Sequence, residues 1–115
     1  MPKTPQLNGG DAHIDMHVAW SVGHAVLTLR GELNLTSTPQ VAERMADICA
    51  EGPLRLFVDL TDVTVLNGLV LGKIATVVGR LRENGCPLLF INPSGATREL
   101  MHRHGLQDLL QIDRA

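Results

Sequence analysis

The 115-residue chain has few aromatic side chains, with one Trp, two Phe and no Tyr. Proteins that hold single-stranded nucleic acid stack its bases on such rings. The formal net charge of −2 provides no long-range attraction for nucleic acid or for an anionic membrane surface. We therefore expect neither nucleic acid nor a membrane among the partners, and a core built from Leu, Val and Ile.

Cysteine and long apolar runs are also scarce. Cys49 and Cys86 are too few for a disulfide framework and lie outside any C-x-x-C spacing, so we expect two reduced, packed thiols. No run of about 18 apolar residues is present. The polar, Gly/Pro-rich opening lacks the apolar core of a signal peptide. The sequence predicts a soluble cytoplasmic protein with a disordered segment at 1–10 and one domain over 11–115.

The order of predicted elements is ββαβαβα. Alternating apolar residues on either side of the turn at 21–24 predict an antiparallel hairpin, and Thr38-Pro39 is typical of the start of a helix. The later elements are a strand at 54–60, a connection at 61–66, a helix from Asn67 to about 83, a strand at 87–91 and a short helix at 96–104. A tail to Ile112 adds a helical turn or a short strand. Strands that alternate with helices favour an α/β fold with a mixed, largely parallel sheet. Because the third and fourth strands show little alternation, we expect helices packed against the sheet.

The histidines do not form a convincing metal site. His102 and His104, two apart on a helix, point about 200° from each other, and four residues of strand separate His13 from His17 by about 13 Å. Cys86 has no activating neighbour in view for a dyad with a distant histidine. No nucleophile or phosphate-binding motif is present. We expect surface histidines, no cofactor, no metal and no enzymatic reaction.

Two segments carry a resemblance to a known family. Gly31-Glu32-Leu33-Asn34 and the run Val58 to Asn67, which reads VDLTDVTVLN, are similar to STAS domains, and within them to bacterial anti-sigma-factor antagonists. The similarity extends from about Val18 to the closing GLQDLLQI segment. It implies a domain that docks onto a serine-kinase-type anti-sigma factor and frees the sigma factor. It also implies a kinase target Ser at the start of the second helix, whose phosphorylation ends the interaction.

The chain departs from the family pattern at the positions that carry the switch. The family usually has Asp where this chain has Asn34, and Asp-Ser where it has Asn67-Gly68. Because glycine has no hydroxyl, the usual phosphorylation cannot take place at Gly68. A phosphate there would add a charge of about −1.5 to −2 to the surface that a partner must approach. The resemblance therefore implies a domain held in its dephosphorylated-like state.

The resulting candidate contact face consists of two segments of the chain. Its predicted partner-binding residues are Asn34, Thr36, Ser37, Asn67, Gly68, Leu69 and Leu71. The same residues also fit a structural role, with Asn67 as a helix cap, Gly68 tolerated in the first turn at a cost of about 1 kcal/mol, and Leu69 in the core.

Two other functions are compatible with the same resemblance. One is a STAS-type domain that senses a small ligand or acts as a scaffold in a signalling assembly. The other is regulation through a displaced phosphorylation site, with Thr36, Ser37, Thr61 or Thr64 as the acceptor. The sequence indicates neither the particular anti-sigma factor nor an oligomeric state.

Overall fold

The computed structural model describes residues 14–65 and 67–110. Its elements are β1 (Ile14–Ser21), β2 (His24–Leu33), α1 (Thr38–Ala50), β3 (Arg55–Val65), α2 (Gly68–Glu83), β4 (Leu88–Ile91), α3 (Gly95–Arg103) and a 3-10 turn (Gln107–Leu109). This order confirms the predicted ββαβαβα arrangement. The predicted disordered segment at 1–10 and the domain boundary at residue 11 lie outside the described residues.

The four strands form one mixed sheet in the order β1-β2-β3-β4. β1 pairs with β2 in the antiparallel sense, and β2, β3 and β4 are parallel. The hairpin turns at Val22 and Gly23, which both have positive φ, 51° and 81°. This is the combination that a two-residue turn matched to the strand twist requires. The prediction of an α/β fold with a mixed, largely parallel sheet is confirmed.

The core lies between one face of the sheet and the three helices. The sheet contributes Ala25, Leu27 and Leu29 from β2 and Leu56, Val58 and Leu60 from β3, all 3% exposed or less. The helices contribute Val41, Met45, Ile48, Val70, Leu71, Ile74, Val78 and Met101. The intervening residues of β3, Phe57 and Asp59, are only partly buried. The burial of β3 therefore alternates although its sequence does not, because an apolar Phe stands on the less covered face.

The third strand is longer than the sequence indicated. The predicted connection at Thr61–Leu66 is wrong over 61–65, where the chain remains paired with β2 up to the Leu33–Val65 pair. Val63 is 3% exposed and completes the core face. On the outer side, Arg30 Nε lies 3.5 Å from Asp62 Oδ2. Burial of Val63 and this cross-strand pairing extend the strand. Leu66 lies outside the described residues.

The two cysteines form a disulfide, so the prediction of reduced thiols is wrong. Cys49 lies in the last turn of α1 and Cys86 follows α2, 37 residues further along the chain. Both helices return from the carboxyl edge of the parallel strands to their amino edge, as crossover helices must. Their C-terminal ends therefore meet at one end of the molecule. Nothing in the spacing of the two cysteines reveals this proximity.

The last helix and the tail close the other side of the core. The Ser94 hydroxyl accepts a hydrogen bond from Thr97 N at 3.1 Å and caps α3. Met101 is fully buried. The tail then forms the 3-10 turn, and Leu110 makes an isolated parallel bridge with Phe90 of β4. Of the two forms predicted for the tail, the helical turn is found, and the strand pairing amounts to this one bridge within the described residues.

Candidate partner-binding face

The candidate face is located by the pairing of β2 with β3. Because Leu33 and Val65 are register partners, the segments that follow the two strands leave the same edge of the sheet side by side. The carboxyl edge of parallel strands is where α/β folds commonly place their binding sites. We call the two segments, Asn34–Ser37 and Asn67–Leu69, the candidate face.

Asn34 organises the first segment. Its Oδ1 accepts hydrogen bonds from the backbone N–H groups of Thr36 and Ser37, each at 2.9 Å. Its Nδ2 donates to Glu32 Oε1 at 3.2 Å. An Asp at this position could accept the same two backbone bonds, but it would place a second negative charge beside Glu32. The amide keeps the loop geometry and removes that repulsion.

Ser37 and Thr36 occupy different environments. Ser37 is 0% exposed, and its hydroxyl donates to Glu32 O at 2.9 Å and accepts from Asn34 N at 3.0 Å. Ser37, not Thr38, takes the N-cap position of α1, and its side chain makes no capping bond. The Thr38 hydroxyl instead donates to Asn34 O at 2.6 Å. Thr36 is exposed. A partner can therefore reach Thr36, whereas Ser37 is part of the support of the loop.

The second segment is the start of α2, as the sequence predicts. Asn67 is the N-cap in an extended conformation, and its Oδ1 accepts from Val70 N at 3.0 Å. The predicted cap is confirmed. Gly68 is the first helical residue, and the first turn of α2 carries no acidic side chain. The helix therefore begins with an uncharged turn at the surface.

The leucines in the two segments and just after them divide between surface and core. Leu69 is 61% exposed and Leu35 is 52% exposed, whereas Leu71 is 3% exposed. Two large apolar side chains thus stand in solvent on neighbouring segments, an arrangement that burial against a partner would stabilise. Leu71 belongs to the core stripe of α2, so the exposed residues alone are available for contact.

A residue from the third helix also lies at this face. A β-carbon built on Gly68 would overlap Nε2 of His104 and would lie 2.5 Å from Cε1 and 3.1 Å from Cδ2 of the same ring. The sequence predicts His104 only as a surface histidine. Its approach to α2 is a tertiary contact between helices that are far apart in sequence, so no local pattern could indicate it.

The segment that carries the family resemblance also holds a polar contact on the less covered face of the sheet. Asp59 accepts from Thr61 N at 3.0 Å and from the Thr61 hydroxyl at 2.6 Å, and Asn92 Nδ2 lies at 3.4 Å. Burial alone would raise the pKa of Asp59, but the hydrogen bonds from Thr61 and Asn92 outweigh it and lower the pKa. Asp59 thus ties β3 to the end of β4. The Thr61 hydroxyl beside this carboxylate is a poor place for a phosphate, because like charges would meet.

Three other features of the described residues bear on the kind of site that the domain could carry. No group of three or more His, Cys, Asp or Glu within residues 14–65 and 67–110 could hold a metal ion. No helix in this part of the chain is long and apolar enough to cross a membrane. A depression of about 380 Å³ beside the disulfide is lined by Ala46, Cys49, Ala50, Gly52, Pro53, Leu81, Asn84, Gly85 and Cys86. That lining contains no charged side chain. A second depression, of about 460 Å³, lies on β1 and β2 and is lined by Asp15, Met16, His17, Thr28 and Arg30.

Comparisons with known proteins agree with this architecture. The family model described as "STAS domain" matches residues 14–115. An anti-sigma factor antagonist from Mycobacterium paratuberculosis has 21% sequence identity and a TM-score of 0.75, covering 94% of this chain and 92% of that chain. The anti-sigma factor antagonist SpoIIAA in its unphosphorylated form has 15% identity and a TM-score of 0.67, covering 87% and 89%. The Bacillus cell fate determinant SpoIIAA in the phosphorylated form has 15% identity and a TM-score of 0.62, covering 87% and 92%. No curated protein sequence matches the chain.

Proposed function

The chain belongs to the STAS domain family, and from that membership we propose that it binds a serine-kinase-type anti-sigma factor without phosphorylation control at position 68. In this role it is a regulator of transcription that acts by protein–protein contact in the cytoplasm and catalyses no reaction. The fold shared with anti-sigma factor antagonists supports the class of partner.

The observation that carries the proposal is the start of α2. Gly68 begins the helix without a hydroxyl, directly beside Leu69, which is 61% exposed. An exposed apolar residue at a helix start gains about 25 cal/mol per Å² when a partner removes it from water. Since no phosphate can be attached at Gly68, a charge cannot be introduced there to oppose that burial.

Asparagine stands at both positions where the family usually has an acidic residue, and this supports a permanently dephosphorylated-like state. Asn34 and Asn67 keep the loop and the helix cap through their Oδ1 atoms, at 2.9 Å and 3.0 Å from the backbone N–H groups that they accept. Neither contributes a charge to the candidate face. A partner therefore meets a face in which the loop and the helix cap keep their hydrogen bonds, but in which the two carboxylates usual in the family are absent.

Control at a displaced hydroxyl is a second candidate for regulation. Thr36 and Thr64 are exposed, whereas Ser37 is buried and Thr61 donates to Asp59. Three of the four are thus accessible, since Thr61 is exposed as well, and Thr36 and Thr64 are the two that do not donate to the Asp59 carboxylate. Intact mass after incubation with the anti-sigma kinase and ATP tests this possibility. The gain of one phosphoryl group would show that another hydroxyl is phosphorylated, and an unchanged mass would remove this candidate.

The binding experiment uses a panel of purified serine-kinase-type anti-sigma factors from the source organism, titrated into the full chain by isothermal titration calorimetry. We expect one of them to form a complex. Leu69→Asp should abolish binding, because it places a charge in the apolar contact. Leu54→Asp is the matched control: Leu54 is also exposed, at 65%, but it precedes β3 at the opposite end of the sheet.

Two results would contradict the proposal. The first is that no anti-sigma factor of the panel binds while an established antagonist binds its own partner under the same conditions. The second is that Leu69→Asp and Leu54→Asp bind equally well. A thermal-shift screen with nucleotides and small anions tests the ligand-sensing alternative, since a ligand that binds the native state raises the melting temperature.

A further inference from the structure

The side chain of His104 covers the first residue of α2. Its ring occupies the space in which a β-carbon at position 68 would stand, with Cε1 only 2.5 Å from that point. Glycine at 68 therefore does more than remove a hydroxyl. It opens a space on the candidate face that the imidazole of another helix fills.

The fold holds His104 in this position. The residue is the C-cap of α3, and its backbone N–H donates to the carbonyls of Leu100 and Met101 at 3.2 Å. Met101 is 0% exposed and anchors the helix in the core. Gly105, with a φ of 71°, then turns the chain away. The side chain of His104 itself is exposed, so a partner that covers Gly68 also meets the imidazole.

The contact depends on the absence of a side chain at position 68. The ring atoms that a β-carbon would meet are the outer atoms of an exposed side chain. An Ala at 68 is therefore compatible with the fold, but only after the ring has rotated away. Gly68 and His104 act as a pair, since each determines what the other presents to a partner.

The charges around this pair are of both signs, because Glu32 is exposed beside Asn34 while the last turn of α3 is basic. Neither α1 nor α2 has an acidic residue in its first turn, and the last turn of α3 carries His102 and Arg103. Arg103 pairs with Glu99 at 3.3 Å and remains exposed. These charges therefore assign no sign to the partner surface, and what His104 offers is a hydrogen bond from its imidazole.

We propose that His104 is a partner-contacting residue of the candidate face, and that its imidazole, seated over Gly68, makes a hydrogen bond to the anti-sigma factor. This inference rests on the proposed function and adds a determinant of partner choice from α3. Removing one partner of a hydrogen bond at an interface weakens binding.

The test is a double-mutant cycle, with the anti-sigma factor that binds the wild-type chain as the probe. We expect His104→Ala to weaken binding by about tenfold or more. Gly68→Ala, which adds only a methyl group, should weaken it to a similar extent by displacing the ring. The double variant should bind no more weakly than either single variant, because both changes remove one contact. His17→Ala removes an exposed imidazole on β1 and should leave the affinity unchanged.

The outcomes separate this inference from the proposed function. Binding by the wild type with His104→Ala unchanged, within about twofold, would overturn the role of His104 and leave the proposed function standing. A loss in His104→Ala with none in Gly68→Ala would overturn the pairing with Gly68. Absence of binding by the wild type itself would refute the proposed function, and this assignment with it. Thermal melts of each variant verify that the fold is retained.

Discussion

Removing the Cys49–Cys86 disulfide should lower the stability of the domain by a predictable amount. The bond closes a loop of 37 residues, and the chain-entropy relation for a loop of that length gives about 3.8 kcal/mol at 25 °C. That is a large share of the 5–15 kcal/mol that folded proteins usually have. With a urea m-value of about 2 kcal/mol per molar, the unfolding midpoint should fall by roughly 2 M.

The assay is urea unfolding followed by circular dichroism on three samples. These are the oxidised wild type, the wild type reduced with a phosphine, and Cys49→Ala/Cys86→Ala. The reduced wild type is the matched control, because it loses the covalent bond but keeps both sulfur atoms. It should account for most of the loss. Since Cys86 is 7% exposed, the double variant should lose slightly more through the missing core contacts. An unchanged midpoint in both reduced and substituted protein would refute the loop-closure reasoning.

Three further predictions concern single side chains. Asp59→Asn should cost about 1 kcal/mol at neutral pH. The pKa of Asp59 in the folded protein lies below its ordinary value of 3.8. The charged carboxylate therefore stabilises the wild type above pH 3.8, and this contribution is lost as the pH falls through the lowered pKa. The difference between wild type and Asp59→Asn in urea titrations should therefore shrink in acid, and a constant difference would contradict it. Asn67→Ala should lower the free energy of unfolding by about 1 kcal/mol, because the cap on Val70 N is lost. Asn67→Asp should retain the stability, since a carboxylate can accept the same bond. Equal melting temperatures for the wild type and both variants would argue against the cap. Gly68→Ala should change stability by less than about 1 kcal/mol, because improved helix propensity offsets displacement of the His104 ring; a collapse of the fold would show that the ring cannot move.

Much of the fold could be predicted because its signals are local. The alternation around Val22 and Gly23 specified the hairpin, and Asn67 was identified as a helix cap from its residue type and place alone. The extension of β3 through Val63 was missed, although the alternation of Thr and Val in 61–65 is a strand signal.

The parts that could not be predicted depend on contacts between distant segments. The pairing of Cys49 with Cys86 requires knowledge that α1 and α2 end at the same edge of the sheet. The approach of His104 to Gly68 requires the packing of α3 on α2. The burial of Ser37 follows from its bonds to Glu32 and Asn34 within the folded loop. None of these three contacts is accompanied by a periodic pattern or a motif in the sequence.

The most direct test of the central claim compares binding before and after exposure to the kinase activity. The full chain is incubated with its anti-sigma factor and ATP, repurified, and titrated again with fresh anti-sigma factor. We expect the dissociation constant to be unchanged and the intact mass to remain that of the unmodified chain, because Gly68 has no hydroxyl. Loss of binding after ATP treatment, together with a gain of one phosphoryl group, would contradict a docking face free of phosphorylation control.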